Sequence, residues 1–405
     1  MKQRTKKKKW TRFRHRVVRN LVFAVLYPYA RIKYGFRTKH FEGQGKRQFL
    51  ILFNHQTAFD QFFVGMTFRG AVYYVASEDL FSKGWLSSLI RYLVAPIPIK
   101  KQTTDVRAVM DCIKVSREGG TIAIAPEGNR TYSGKTGYMN PAIAPLARKL
   151  GMPIALYRIE GGYGVQPRWS DVIRRGKMRG YVSRVVEPEE YSSLSDSELM
   201  SLIEKELYVN EGTNDVAFYH KKNAEYLERA FYVCPSCGLS EFESKGDIIT
   251  CKKCNSAVRY LPTKELVGVG FDFPFRFTTE WYDYQCDFIN KLDTTAYTDY
   301  PIYDDTASFS EVAVYKSKRA IHKSAEISLY GNRITVSANG DTWVFPFNEI
   351  SAVTVLGKNK VNIYHSKRIY QIKGNSRMNA LKYVNLYYRY KSLEQGEQNG
   401  KFLGL

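Results

Sequence analysis

No apolar run at the amino-terminal end of this sequence approaches the roughly twenty residues needed to cross a bilayer. The candidate there, Leu21-Val22-Phe23-Ala24-Val25-Leu26-Tyr27, stops at Pro28. A mean hydropathy of -0.37 excludes a polytopic membrane protein. Cysteine is scarce, with six in 405 residues. Four of them, Cys234, Cys237, Cys251 and Cys254, fall in two CxxC pairs, which argues against a disulfide framework. Pairs of that kind point to a metal site and a reducing, cytosolic compartment. Acids are also short: 39 Asp and Glu stand against 61 Lys and Arg, a formal net charge of +22. Such an excess implies an anionic partner, whether nucleic acid, anionic lipid or a phosphate-bearing substrate. What is present is a chain long enough for two or three domains, with an ordinary hydrophobic fraction of 44%. Its 30 Tyr and 23 Phe suit a lipid headgroup interface as well as they suit base stacking.

Residues 1–19 carry Lys2, Arg4, Lys6, Lys7, Lys8, Lys9, Arg12, Arg14, Arg16 and Arg19 with no acid among them. Trp10, Phe13, Val17 and Val18 interleave with these charges. A signal peptide also has a basic head and a short apolar core, but Pro28-Tyr29-Ala30-Arg31 is a poor cleavage site. The pattern predicts, over residues 1–35, a basic tail and an amphipathic helix lying on an anionic leaflet. The competing reading is a solvated tail followed by an ordinary core helix, with nucleic-acid contact still open for the tail.

Between residues 36 and 210 apolar runs of strand length alternate with helical patterns. Candidate strands are 49–53, 72–75, 121–125, 154–157 and 177–186, and candidate helices are 61–68, 85–93, 106–117 and 141–150. This alternation predicts an α/β domain with a mostly parallel sheet flanked by helices. Two of its strands open onto chemistry. Phe49–Phe53 ends at Asn54-His55, and Asp60 follows five residues after the histidine. Positions i and i+5 of one helix point about 140° apart. His55 and Asp60 can therefore meet only if His55 sits on the turn and Asp60 in the first turn of the next helix. A histidine with an orienting carboxylate is what a general base requires. The second strand, Ile122-Ala123-Ile124-Ala125, runs into Pro126-Glu127-Gly128-Asn129-Arg130. Ligands of open α/β sheets bind at the carboxyl ends of strands. There an arginine can hold a phosphate bidentately, and a glycine lets the backbone approach it.

Together the two blocks resemble those of the glycerolipid acyltransferases, the PlsC-like family of 1-acylglycerol-3-phosphate acyltransferases. His55 and Asp60 match its histidine-x4-aspartate block. Pro126, Glu127, Gly128 and Arg130 match a Pro-Glu-Gly-x-Arg block about seventy residues on. Ile97-Pro98-Ile99-Lys100-Lys101 stands where the family has a block ending in arginine, so Lys101 replaces the fork of a guanidinium with a point charge. Met152-Pro153-Ile154-Ala155-Leu156 meets a fourth block. The resemblance covers roughly residues 20–210. It implies attack of a lysophospholipid hydroxyl on an acyl thioester, with coenzyme A or acyl carrier protein as carrier. In that reaction His55 is the base and Asp60 its orienting partner. Glu127, Gly128, Arg130, Lys100 and Lys101 bind the acceptor. The implied setting is the cytoplasmic face of a membrane, as a peripheral or monotopic protein.

A polar stretch over 211–232 reads as a helical linker. The CxxC pairs that follow have thirteen residues between Cys237 and Cys251. This spacing predicts a zinc ribbon over 233–262, with Cys234, Cys237, Cys251 and Cys254 holding a structural zinc. Cys112 and Cys286 lie alone on helical patterns and read as core. Residues 270–395 read as a helix over 279–292, several short strands and a closing helix over 377–390. The strands are expected at 311–315, 326–330, 334–337, 342–346, 353–356, 361–364 and 369–373. Asn339-Gly340 marks a hairpin. The pattern resembles a pleckstrin-homology or GRAM-like module. Two alternatives to the enzyme stand beside it: a catalytically silent lipid-binding scaffold, and a nucleic-acid-binding zinc ribbon protein. The intact His55, Asp60, Glu127, Gly128 and Arg130 favour the enzyme. Basic charge concentrated beside an apolar segment favours anionic lipid over nucleic acid.

Overall fold

The computed structural model describes residues 9–81, 84–99, 105–213, 216–312 and 318–396. The chain forms two compact units, one from residues 1–128, 139–160 and 178–208, the other from 129–138, 161–177 and 209–405.

The first unit is a sheet of seven strands: β1 (Phe36–Arg37), β2 (Leu50–Phe53), β3 (Val72–Ser77), β4 (Ile97–Ile99), β5 (Thr121–Ile124), β6 (Ile154–Glu160) and β7 (Met178–Val186). Their order is β1-β7-β6-β2-β5-β3-β4. Every pair is parallel except β6–β7. β2 lies between β5 and β6, and all four of its residues are buried. A strand covered on both faces must be apolar throughout, which explains the run Leu50-Ile51-Leu52-Phe53. Burying Leu50 and Leu52 completely contributes about 2 kcal/mol each.

The helices of this unit are α1 (Phe13–Lys33), α2 (Asp60–Thr67), α3 (Trp85–Leu93), α4 (Val106–Arg117) and α5 (Ile143–Leu150), followed later by α7 (Pro188–Ser192) and α8 (Asp196–Leu207). The short α6 (Gly162–Val165) belongs to the second unit. Cys112, Val115, Ala144, Ala147, Leu199 and Ile203 of α4, α5 and α8 share one core with β2, β5 and β6. An aromatic group made of Tyr34, Phe36, Phe59 and Phe63 packs separately around α2. The residues just before α1 are pinned as well, since Trp10 and Thr11 donate their N–H groups to Glu118 Oε2 at 2.7 and 2.8 Å. The helix start at Val106 is capped by Asp105, which accepts from Arg107 and Ala108.

α1 runs through Pro28, where the apolar run of the sequence stops. Pro28 cannot donate to the carbonyl of Ala24. Both residues are exposed, so solvent can satisfy that carbonyl. No described helix is long and apolar enough to cross a membrane.

In the second unit β8 (Val233–Cys234) and β9 (Gly238–Leu239) make a small hairpin. β10 (Phe242–Lys245), β11 (Ile248–Cys251), β12 (Ala257–Tyr260) and β13 (Leu266–Gly268) make an antiparallel meander. α9 (Thr278–Asn290) follows, then β14 (Tyr303–Val312), β15 (Arg319–Leu329), β16 (Arg333–Ala338), β17 (Asp341–Pro346), β18 (Ile350–Leu356), β19 (Lys360–His365), β20 (Arg368–Gly374) and α10 (Leu381–Glu394). These seven strands form one sheet of order β17-β16-β15-β14-β20-β19-β18. With its closing helix, the sheet is the β-rich carboxyl-terminal region expected. The β16–β17 hairpin turns at Asn339 and Gly340, with φ of 53° and 86°. Two successive positive values are what the Asn-Gly pair signals.

One core runs through the whole unit, from Tyr132, Tyr163 and Trp169 through Cys234 and Ile249 to Phe309, Val353 and Tyr387. The α-helix expected over 211–232 does not form. Among the described residues only 3-10 turns occur there, at Glu211–Thr213 and Leu227–Arg229. The reason is burial without periodicity: Asn223, Ala224, Leu227, Glu228, Arg229, Ala230, Phe231 and Tyr232 are all buried, whereas a linker helix hides one stripe. The strand expected at 311–315 starts instead at Tyr303 and lies partly outside the described residues.

Candidate active site and metal centre

The edge formed by the carboxyl ends of β2 and β5 is where the site assembles. The register pairs Leu52 with Ile124, and continuing it by three residues sets His55 opposite Glu127. The Glu127 carboxylate duly accepts the His55 backbone N–H, Oε1 lying 2.7 Å away, and Glu127 is 7% exposed. On the other side of β2, Asn54 makes two bonds to one residue of β6. Its Nδ2 donates to the Ile159 carbonyl at 2.8 Å, and its Oδ1 accepts the Ile159 N–H at 2.7 Å. The strand end is thus fastened to both neighbours immediately before His55.

Asp60 opens α2, and its carboxylate is fully buried. Oδ2 accepts from His55 Nδ1 at 2.8 Å, from Gln56 N at 2.6 Å and from Thr57 N at 2.9 Å. Oδ1 accepts from Thr57 N at 3.0 Å and from the Thr57 hydroxyl at 2.7 Å. Backbone N–H groups are obligate donors, so both oxygens serve as acceptors and Nδ1–H is the donor of the histidine. Nε2 is then the basic nitrogen. The i, i+5 pair therefore meets as the helical geometry requires, with His55 on the turn and Asp60 in the first helical turn. Asp60 does not cap α2. Its oxygens are used on the preceding turn, while Thr57 Oγ1 accepts the Phe59 N–H at 3.0 Å.

Gly128 has a φ of +67°, and a side chain there would meet nothing within 4 Å. Backbone conformation, rather than space, calls for glycine at this turn, where its N–H closes onto the Ala125 carbonyl at 3.0 Å. Arg130, two residues further on, belongs to the second compact unit. There its carbonyl accepts from Arg168 Nη1 at 3.0 Å. Lys100 and Lys101 lie outside the described residues. The sequence-predicted His55, Asp60 and Glu127 are thus brought together in the first unit. Sequence reasoning missed the double bond of Asn54 to Ile159 and the two N–H groups of Gln56 and Thr57 that fix the carboxylate.

The second centre is the cysteine cluster. The Sγ atoms of Cys234, Cys237, Cys251 and Cys254 lie within 4.8 Å of one another. Cys234 and Cys254 approach to 3.7 Å, and Cys237 and Cys251 to 3.6 Å. The edge of a tetrahedron with metal–sulfur bonds of 2.3 Å is about 3.8 Å, so the donor set fits a metal ion at its centre. Each knuckle ends in a left-handed residue, Gly238 at φ +75° and Asn255 at φ +62°. The two halves are therefore built alike. Hydroxyls stand against two of the sulfurs, Ser240 3.0 Å from Cys251 and Ser256 3.2 Å from Cys254. Cys112 and Cys286 lie outside the cluster, and burial pushes each thiol up to about 12.

A buried carboxylate orienting a histidine at the open edge of a mostly parallel sheet defines an α/β domain equipped for general-base chemistry. Residues 35–159 match the family model described as Acyltransferase. Among solved structures, the chain is similar to the 1-acyl-sn-glycerophosphate acyltransferase PlsC from Thermotoga maritima. The two are 24% identical, with 47% of this chain and 74% of that one covered and a TM-score of 0.37. It is also similar to the amino-terminal PH domain of human ARAP2, at 12% identity over 22% of this chain and 81% of that one, with a TM-score of 0.19. No curated protein matches the chain.

Proposed function

We propose that the protein transfers a fatty acyl group from a thioester to the hydroxyl of a lysophospholipid, most specifically 1-acylglycerol-3-phosphate, at a membrane surface. The observation that carries this reading is the pairing of His55 Nδ1 with the buried Asp60 carboxylate at 2.8 Å. A free hydroxyl is a poor nucleophile at neutral pH, so a base must take its proton as the new ester bond forms. His55 Nε2 accepts that proton, and Asp60 fixes the tautomer and stabilises the imidazolium. The thiolate of the carrier leaves and takes up a proton, so no residue of the protein is acylated. Glu127 holds the backbone of His55, and Arg130, with Lys100 and Lys101, neutralises the acceptor's phosphate.

Membrane contact is supported by α1. Phe13, Val17, Leu21, Val25 and Ile32 are 78, 40, 67, 69 and 78% exposed. At 100° per residue they fall within an arc of about 120°. An exposed apolar stripe flanked by arginines suits an anionic leaflet. The cysteine cluster holds zinc in this reading. Four thiolates close the coordination shell, so the metal supports the fold and takes no part in the transfer. The test is acyl transfer in mixed micelles from acyl-coenzyme A and from acyl carrier protein to lysophosphatidate. Failure with both donors and every lysophospholipid acceptor removes the proposal.

A further inference from the structure

Arg168 has no place in the chemistry above, yet it is only 2% exposed. Its guanidinium lies 4.3 Å from the centre of the Tyr132 ring and is fastened to backbone carbonyls from two distant stretches. Nη1 donates to Arg130 O at 3.0 Å, while Nε and Nη2 donate to Gly357 O and Val355 O, each at 3.4 Å. Burying a guanidinium is costly unless its donors are satisfied. Here the rigid fork of donors links the loop bearing Arg130 to the β18–β19 turn.

The residues that follow Arg168 reinforce this link. Lys358, in that same turn, donates to Ser170 O at 2.6 Å and pairs with Asp171. Arg229 holds Trp169 O at 2.8 Å and both oxygens of Asp171 at 2.9 and 3.0 Å. The rest of the Arg130 loop is held from the same unit. Thr278 Oγ1 donates to Ser133 O at 3.2 Å, Glu211 N to Gly134 O at 2.9 Å, and Thr136 N to Val209 O at 2.9 Å. All of these partners come from sequence outside the strands that carry His55 and Glu127.

We infer that Arg168 is a positioning residue for Arg130: it fixes the backbone of that arginine against the β18–β19 turn and thereby sets its affinity for the acceptor's phosphate. The inference rests on Arg130 as the phosphate-binding residue. Lysine cannot substitute at position 168, since one ammonium group lacks the planar fork that spans both sets of carbonyls.

The test compares full-length wild type with Arg168→Lys, each checked for thermal unfolding and for metal content. Amide hydrogen exchange of the peptide covering 129–138 is expected to quicken roughly tenfold, the scale of one lost hydrogen bond to a charged group, while the 121–124 peptide is unchanged. The KM for lysophosphatidate rises by a similar factor while the KM for the acyl donor holds. Transfer to a phosphate-free monoacylglycerol, where wild type performs it, is unaffected. Should Arg168→Lys not fold, Tyr132→Leu removes the ring under the guanidinium and is expected to give the same pattern at smaller amplitude. Unchanged exchange over 129–138 overturns the inference, as does quickened exchange with an unchanged acceptor KM or equal losses on both acceptors. A wild type that transfers to no lysophospholipid removes the proposed function instead, while the exchange result still decides whether Arg168 holds the loop.

Discussion

Replacing Asp60 by asparagine isolates the charge of the pair from its geometry. The carboxylate accepts from His55, from the N–H groups of Gln56 and Thr57, and from the Thr57 hydroxyl. An asparagine can keep its carbonyl oxygen at the Oδ2 position, facing His55 and both N–H groups. Its amide then takes the Oδ1 position, where the Thr57 hydroxyl can turn to accept. The fold therefore survives, and what is lost is the negative charge beside the imidazolium. Two unit charges about 4 Å apart interact by about 4 kcal/mol at an effective dielectric near 20. The difference between a charged and a neutral hydrogen bond sets a lower figure of about 1 kcal/mol. A value between them, about 3 kcal/mol, corresponds to roughly a hundredfold loss of kcat. Asp60→Ala is expected to behave differently, because besides freeing His55 it strands three buried donors, Gln56 N, Thr57 N and the Thr57 hydroxyl, at about 1–3 kcal/mol each and so destabilises the first unit. The assay is steady-state transfer at saturating acceptor, with thermal unfolding measured on the same preparations. Asp60→Asn retaining kcat within about threefold of wild type, in a background where His55→Ala is inactive, would refute the electrostatic role.

Three further outcomes are expected. Asn54→Ala leaves the N–H and carbonyl of Ile159 without partners inside the sheet and lowers stability by about 2–4 kcal/mol in urea unfolding, whereas a cost under about 0.5 kcal/mol would contradict the bridging role. Metal analysis is expected to return one zinc per chain, and Cys237→Ser to lose it together with the cooperative unfolding of the second unit; four free thiols and no zinc in wild type would refute the assignment. Changing both Leu21 and Val25 to Glu, at exposed positions of α1, is expected to weaken binding to anionic vesicles at least tenfold without altering thermal unfolding, and unchanged binding would dismiss α1 as the membrane contact.

Much of the site was legible because its signals are local. A buried run that halts at Asn54-His55, an aspartate at the one helical offset that a turn can rescue, and a second strand ending in Glu127-Gly128 are patterns within a few residues. The cysteine knuckles and the Asn339-Gly340 hairpin are of the same kind. What was not legible depends on partners far along the chain. Nothing around Asn54 shows that its side chain closes on Ile159, 105 residues away. Arg168 looks like any surface arginine until Arg130, Val355 and Gly357 surround it. β14 was placed too late because Asp304-Asp305-Thr306 hides the start of a strand whose inward residues are Tyr303, Ala307 and Phe309. The stretch 211–232 reads as a helical linker because it is polar, whereas its charged residues are held by tertiary partners. Glu225 and Glu228 are held by Arg377, and Arg229 is held by Asp171. Periodicity carries no information about such pairs.

The central claim is that His55 removes the acceptor's proton. Single-turnover acyl transfer from a thioester to lysophosphatidate, with His55→Ala compared against wild type at matched stability, tests it most directly. The expected result is a fall of about 10²–10⁴-fold in the chemical step, with acceptor binding unchanged. A His55→Ala protein that transfers acyl groups at the wild-type rate would contradict it.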